Sequence, residues 1–286
     1  MCYWSEMVGL NPENSITVAE PLIRFGVFAA MLGLLLAGEF LAPRRQQGVS
    51  RWRRWPSNAG ILIVGTVLVR AIFPTAAVGL ALVAEAKGWG LLNLVAAPDW
   101  LAILVAIVVF DLVIYAQHRL FHAIPILWRL HRMHHADLEI DVTTGVRFHP
   151  LEILLSMLIK LGAVAVLGAP ALGVMIFEIL LNATSLFNHS NIRLPVAVDR
   201  GLRRIVVTPD MHRVHHSIVA RETDSNFGFN LPWWDRLFGT YRAQPAAGHA
   251  AMTIGLTRFR DPSELRLDRM LLQPLRRAQT AESEHD

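Results

Sequence analysis

Long apolar stretches separated by short polar ones set the pattern of this chain. Pro21 precedes a run from Leu22 to Leu41, and Pro43 closes it. A second run extends from about Ala59 to Ala84, with Pro74 as an expected kink. Glu85, Lys87 and Asp99 mark a polar connection into a third run, about Trp100 to Ala116. The fourth stretch, Leu151 to Phe187, is too long for one ordinary span, since about 20 residues of helix cross a hydrocarbon core of ~30 Å. Gly168-Ala169-Pro170 lies near its middle and reads as a turn. The pattern therefore predicts a helical hairpin, 151–167 and 171–187, added to about three long spans. The expected fold is an all-α integral-membrane bundle.

Charge gives the topology. Arg44, Arg45, Arg51, Arg53 and Arg54 share one loop between the first two runs, with Trp52 and Trp55 as interface anchors. Such a loop reads as cytoplasmic and facing anionic lipid. Runs two and three then form one hairpin, and the polar segment after run three returns to the same side. If 151–187 crosses twice, or enters and returns without reaching the far leaflet, everything from 188 onward is cytoplasmic too. That puts Arg193, Arg200, Arg203 and Arg204 beside the arginine loop, in agreement with the first signal.

Composition supports a membrane protein. The 286 residues are 53% hydrophobic and only 17% charged, less charge than soluble domains usually carry. Cys2 is the sole cysteine, which excludes an internal disulfide and a cysteine zinc site. No cleavable leader pattern is expected at the start. The basic loop between apolar runs favours lipid over nucleic acid as its partner, so no nucleic acid is expected. No GxGxxG, P-loop or serine-nucleophile motif is present.

The candidate chemistry is histidine. His118 and His122 are four residues apart and share one helical face. His131, His134 and His135 have the spacing i, i+3, i+4, and His212, His215 and His216 repeat it. A single buried histidine is ordinarily a hydrogen-bonded core residue. Three patterned clusters in one chain instead read as ligand sets for a metal. Imidazole suits iron, zinc, copper and nickel, and carboxylate-poor sites of this kind argue against magnesium or calcium. Eight ligands exceed what one tetrahedral ion uses, so a two-metal site is the natural count. His189 shares a helical stripe with Ser185, Asn182 and Glu178, and reads either as a ligand or as a hydrogen-bonding support. His149, before Pro150, reads as a ligand or a helix cap. Asp111 falls on the face of His118 and His122, where it would orient a ligand ring. Asn188 and Glu178 are the other candidates for such support. His249 and His285 have no pattern and read as surface residues. Trp233-Trp234 reads as an interface pair.

Together these motifs resemble the sterol desaturase and fatty acid hydroxylase superfamily. The matching features are HxxxH at 118–122, HxxHH at 131–135, FHPLE at 148–152, NHS at 188–190 and HxxHH at 212–216, with NFGFNLPWWDRLFGTY following. The resemblance covers about 100–242. It implies a membrane enzyme whose two iron ions, held by histidines, use O2 and two electrons to hydroxylate or desaturate a C–H bond of a lipid. Carried over position by position, the ligands are His118, His122, His131, His134, His135, His212, His215 and His216, with His189. The expected layout is 1–99 for N-terminal transmembrane helices and a basic loop, 100–245 for the catalytic domain with its cytoplasmic di-metal cap, and 246–286 for a cytoplasmic tail. No haem domain is fused, so electrons are expected from a separate donor, cytochrome b5-like or a ferredoxin with its reductase. The Ala/Arg-rich composition suits a bacterial inner membrane. The alternatives are a metal-handling membrane protein or a zinc-dependent hydrolase. The first should place its ligands near the bilayer midplane rather than behind the ends of the apolar runs. The second should show a general-base glutamate of the HExxH kind.

Overall fold

A computed structural model describes residues 12–276. The polar start up to residue 11 and the polar terminus beyond 276, with Cys2 and His285, lie outside the described residues.

The expected helical bundle is observed, and among the described residues five segments are long and apolar enough to cross a membrane. Helix α1 spans Pro12–Leu41. It begins ahead of Pro21, which it accommodates inside rather than using as its start. Helix α2 spans Arg51–Ile72 and α3 spans Ala76–Lys87. The expected kink at Pro74 is a full break. Proline lacks the N–H that would continue α2, and its ring disfavours the helical conformation at the residue before it. Phe73 accordingly leaves the helix at φ −125, ψ 71. The short α4 (Leu91–Leu94) leads into α5, Asp99–Ala123, which runs past the expected end at Ala116 and carries the first two histidines. Helix α6, Pro125–His135, follows after a single residue.

Helices α7 (Pro150–Leu167) and α8 (Ala171–His189) are the expected hairpin. Gly168 turns it at φ +66, and a Cβ there would lie 2.3 Å from the carbonyl oxygen of Trp89. The turn therefore demands glycine both for its conformation and for its close neighbour. Beyond α8 come short helices α9 (Val196–Leu202) and α10 (Pro209–His215). The chain then continues through four shorter ones, α11 (Ala220–Thr223), α12 (Trp233–Leu237), α13 (Gly248–Ala251) and α14 (Leu267–Leu272).

The apolar core joins α3, α5, α7 and α8 through Ala77, Ala81, Ala106, Phe110, Val164, Val174 and Phe177. Its alanines let helices approach closely, which matters in lipid, where burial of apolar surface gives no net drive. The outward faces keep large apolar side chains exposed, among them Phe25, Leu34, Val67, Leu104 and Val166. A belt of this kind fits a bilayer, not water. Three charges inside the belt are paired with one another. Glu178 of α8 accepts from Arg24 of α1 at 2.8 Å and from Lys160 of α7 at 2.5 Å.

At the histidine end, α1, α2 and the loops lock together. Pro43 bridges Ile192, and Arg44 donates its backbone N–H to the carbonyl of Asn191 at 2.7 Å. The arginine loop thus lies at the same end as the start of the C-terminal region. Its arginines mostly turn inward, unlike the lipid-facing loop expected. Arg44 pairs with Asp210, and Arg54 is fully buried against Asp137 and Asp141. Arg53 and the indole of Trp52 stay exposed.

Candidate metal centre

Four helices deliver nine histidines to one place. Helix α5 presents His118 and His122, α6 presents His131, His134 and His135, and α8 ends on His189. Helix α10 carries His212 and His215, with His216 just past its end. A 3-10 turn, Val142–Val146, packs against α8 beside His189. Gly145 makes that approach possible, since a Cβ there would lie 2.6 Å from the carbonyl oxygen of Ser185.

The nine rings fall into two groups. His118, His122, His131, His135 and His215 form one, and His134, His189, His212 and His216 the other. Within each, one nitrogen per ring lies within 4.8 Å of all the rest. The nearest Nε2–Nε2 separations are 3.1 Å for His118–His131, 3.2 Å for His131–His135 and His122–His135, 3.1 Å for His134–His189 and 3.0 Å for His189–His212. A metal–imidazole bond of about 2.1 Å puts neighbouring donors about 3.0 Å apart at right angles and about 3.4 Å apart at tetrahedral angles. The spacing fits.

The outer nitrogens fix which atom faces inward. Nδ1 of His118 donates to the carbonyl of Phe227 at 2.8 Å, that of His189 to Ser185 at 2.7 Å and that of His215 to Ser225 at 2.7 Å. Nδ1 of His134 reaches the carbonyl of Arg147 at 3.2 Å. Carboxylates serve two more, Glu152 for His131 at 2.7 Å and Asp224 for His122 at 3.2 Å. With the proton held at Nδ1, each Nε2 turns a lone pair inward. Lone pairs facing each other at 3 Å repel unless a cation lies among them. Nε2 of His215 and both ring nitrogens of His216 are buried with no hydrogen-bond partner, as is Nδ1 of His212. Buried polar atoms left this way are costly, so the donor set fits a pair of metal ions.

The rings are also held neutral. Burial and the neighbouring histidines push His134, His135, His212 and His216 well below the usual imidazole value. Burial, with the charge His131 would carry, pushes His215 down to about 3. Aromatic rings line the cluster. Phe148 stacks on His134 at 4.4 Å, Trp128 lies 4.8 Å from His122, and Phe227 lies 5.1 Å from it.

His149 belongs to neither group. It caps α7 by accepting the N–H of Leu151, and its Nε2 reaches the carbonyl of Leu271. Asp111 does not touch a histidine. It accepts the N–H groups of Asn230 and Leu231 and the indole N–H of Trp234. Asn188 donates to the carbonyl of Phe229, and Asp235 accepts from Phe227 and Gly228. These three residues grip the loop whose carbonyl at Phe227 orients His118. Glu178 sits eleven residues before His189 on α8, in the ion cluster with Arg24 and Lys160. His249, expected at the surface, is buried with Nε2 3.6 Å from Asp210.

Sequence reasoning did not single out Glu152, Asp224, Asp235 or the aromatic lining. Glu152 lies inside the FHPLE motif and Asp235 directly after the paired tryptophans, so a signal existed for those two. For Asp224 none did.

A family model described as fatty acid hydroxylase matches residues 103–240. An ornithine lipid hydroxylase of Rhizobium tropici is 31% identical over 160 residues, 56% of this chain and 47% of that protein. The alkylglycerol monooxygenase of Homo sapiens is 30% identical over 131 residues, 46% of this chain and 28% of its own length. The cholesterol 25-hydroxylase of Rattus norvegicus is 27% identical over 145 residues, 50% and 47%. The chain thus spans about half or less of the length of these relatives. No solved structure matches it. Every histidine of the two groups lies within residues 103–240, the part of the chain that is similar to the fatty acid hydroxylase family.

Proposed function

We propose that the protein is an O2-dependent membrane oxidoreductase that oxidises a C–H bond of a lipid. The observation that carries this is the pair of inward-facing nitrogen sets, five and four donors, at the end of a bilayer-spanning bundle. Five imidazoles in one set exceed the four positions of a tetrahedral zinc site and favour two irons. His118, His122, His131, His135 and His215 would hold one iron, and His134, His189, His212 and His216 the other. Iron would supply the O2 activation that an unreactive alkyl C–H bond requires.

The chain's own residues do the rest. The Nδ1 acceptors keep six of the nine rings in one tautomer and orientation. Phe148, Phe227 and Trp128 keep water from the rings. In the hydroxylation outcome one oxygen atom enters the C–H bond, and the other leaves as water at the expense of two electrons and two protons. Hydroxylation and desaturation share the abstraction of hydrogen. The three relatives named above are hydroxylases or monooxygenases, which supports oxygen insertion. Their lipids (an ornithine lipid, an alkylglycerol and a sterol) support an amphiphile as the substrate class. Electrons would come from a separate donor at the cytoplasmic face, and a bacterial inner membrane suits the composition.

The test is metal analysis of detergent-purified protein with Mössbauer spectra of an iron-57 preparation. Two coupled irons that respond to reductant and O2 are expected. His134→Ala and His215→Ala should each lose iron and activity while still inserting into the membrane. One zinc that persists in iron-rich growth, or normal turnover in either variant, would overturn the proposal.

A further inference from the structure

The end of α1 and the start of α2 enclose a groove of about 260 Å³, separate from the histidine cluster. Its walls include Glu39, Phe40, Arg45, Gln47, Ser50 and Arg51. Glu39 is only 1% exposed. Its Oε1 accepts two backbone N–H groups, from Val142 and Asn191, both at 2.7 Å. Its Oε2 has no hydrogen-bond partner, and Nη2 of Arg51 stands 3.8 Å away, too far to bond directly. Three more lining atoms are buried without partners: Oε1 of Gln47 and the Nε atoms of Arg45 and Arg51. The guanidinium of Arg51 is held over the Phe40 ring at 4.4 Å, and Arg45 is tied to the carbonyl of His249. The groove therefore offers two fixed acceptors and two fixed cationic donors.

A simple anion would meet the Glu39 carboxylate, and a simple cation would meet two guanidinium groups. A ligand carrying both an N–H cation and an anionic oxygen matches the carboxylate and the two guanidinium groups in charge as well as in hydrogen bonding. A trimethylammonium group has no N–H to give. Beside the groove, Phe40, Leu41 and Trp52 are exposed by 62, 86 and 80%, an apolar rim at the end of a membrane-length helix. The volume suits a headgroup, not a whole lipid.

We propose that this groove binds the headgroup of a membrane amphiphile that carries a primary ammonium beside an anionic oxygen. The headgroup belongs either to the substrate or to a lipid of the surrounding bilayer. Only the choice between these two sources rests on the oxygenase reading.

The experiment is a titration of the metal-loaded, full-length protein in detergent, followed by native mass spectrometry. The probes are lysophosphatidylethanolamine, lysophosphatidylcholine and lysophosphatidylglycerol of one acyl chain. The ethanolamine lipid should bind roughly tenfold tighter than either other, the scale of one charge-assisted hydrogen bond. Glu39→Gln retains an oxygen for the N–H groups of Val142 and Asn191 but removes the charge. It should lower ethanolamine-lipid binding by roughly tenfold and leave the choline lipid unchanged. Equal affinity for the three lipids, or unchanged binding in Glu39→Gln, would overturn the proposal. If that variant fails to fold, the wild-type comparison of the three lipids decides. With O2 and a reductant, a bound lipid that becomes one oxygen atom heavier identifies a substrate headgroup, and one that stays unchanged identifies a bilayer lipid. Selective binding by a protein that oxidises no lipid would sink the oxygenase reading and leave the groove intact.

Discussion

Six of the nine histidine rings in the centre, His118, His122, His131, His134, His189 and His215, have Nδ1 tied outward and Nε2 left for the interior. His131 shows what the outer tie does. Its Nδ1–H is held at 2.7 Å by Glu152, a buried carboxylate from the first turn of α7. Glu152→Gln removes the charge behind the ring while keeping its shape. Iron affinity, measured by chelator competition, should fall about 10–100-fold. His149→Ala is the matched control. It removes the α7 cap, which should cost about 1 kcal/mol in thermal unfolding and leave the iron content unchanged. Eight of the nine histidines were legible from spacing, because i, i+3 and i+4 share a helical face, while His189 was read from its polar stripe as either a ligand or a support. Their outer partners were mostly not legible. Phe227, Arg147, Ser185 and Ser225 act through backbone carbonyls, which any residue type supplies. Asp111 was placed on the correct face of α5 but grips a loop instead of a ring, since periodicity gives direction and not reach.

Local chemistry decided where helices begin and stop. Pro74 breaks the second apolar run into α2 and α3, and Gly168 turns the hairpin. What joins the elements is less visible in sequence. Arg54, in the first turn of α2, meets Asp137 through Nε at 2.7 Å and Nη2 at 2.8 Å, and Asp141 through Nη1 at 2.6 Å. All three side chains are fully buried. This cluster ties α2 to the segment between His135 and the 3-10 turn that packs on α8. In the sequence Arg54 is one of five arginines in a basic loop, with nothing to mark it as the inward one. Arg54→Ala would leave two carboxylates buried without their partner. A loss of about 3–5 kcal/mol is expected, read from the denaturant midpoint in detergent, because breaking a buried pair strands the remaining charge. A change within about 0.5 kcal/mol, the range of a surface substitution, would show that the cluster does not bind these elements together.

Across the whole molecule, the two ends of the bundle differ in character. One holds the hairpin turn, and the other gathers the arginine loop, the histidines and the C-terminal region. Reporters fused after Gly48 and after His189 should therefore mark the same side of the membrane, the cytoplasmic one. Opposite sides would remove the paired-span topology. The gathered end should also be sensitive to acid. His215 is held neutral down to about 3 by burial, against 6.5 for a free ring. As pH falls below about 6.5, the unfolded chain takes up protons that the folded site refuses, so stability drops. Asp137 adds a second phase. Burial would raise its carboxyl, but Arg54 and Arg147 hold it down at about 2, against 3.8 when free. Its contribution is present above pH 3.8 and is lost as pH falls toward 2. Metal-free protein should thus unfold more easily with each step from pH 7 to pH 4. A flat profile over that range would contradict the buried, neutral histidines.

Apolar length, the hairpin and the histidine sets were fixed along the chain, because each depends on neighbours within a few helical turns. The division of nine rings into groups of five and four was not. His134 and His135 are adjacent in sequence and enter different groups, while His135 and His215 are 80 residues apart and share one. Adjacent positions on a helix point about 100° apart, so a helix can feed two sites at once. Which distant ring completes each site depends on how α5, α6, α8 and α10 pack, and that is a property of the folded bundle alone.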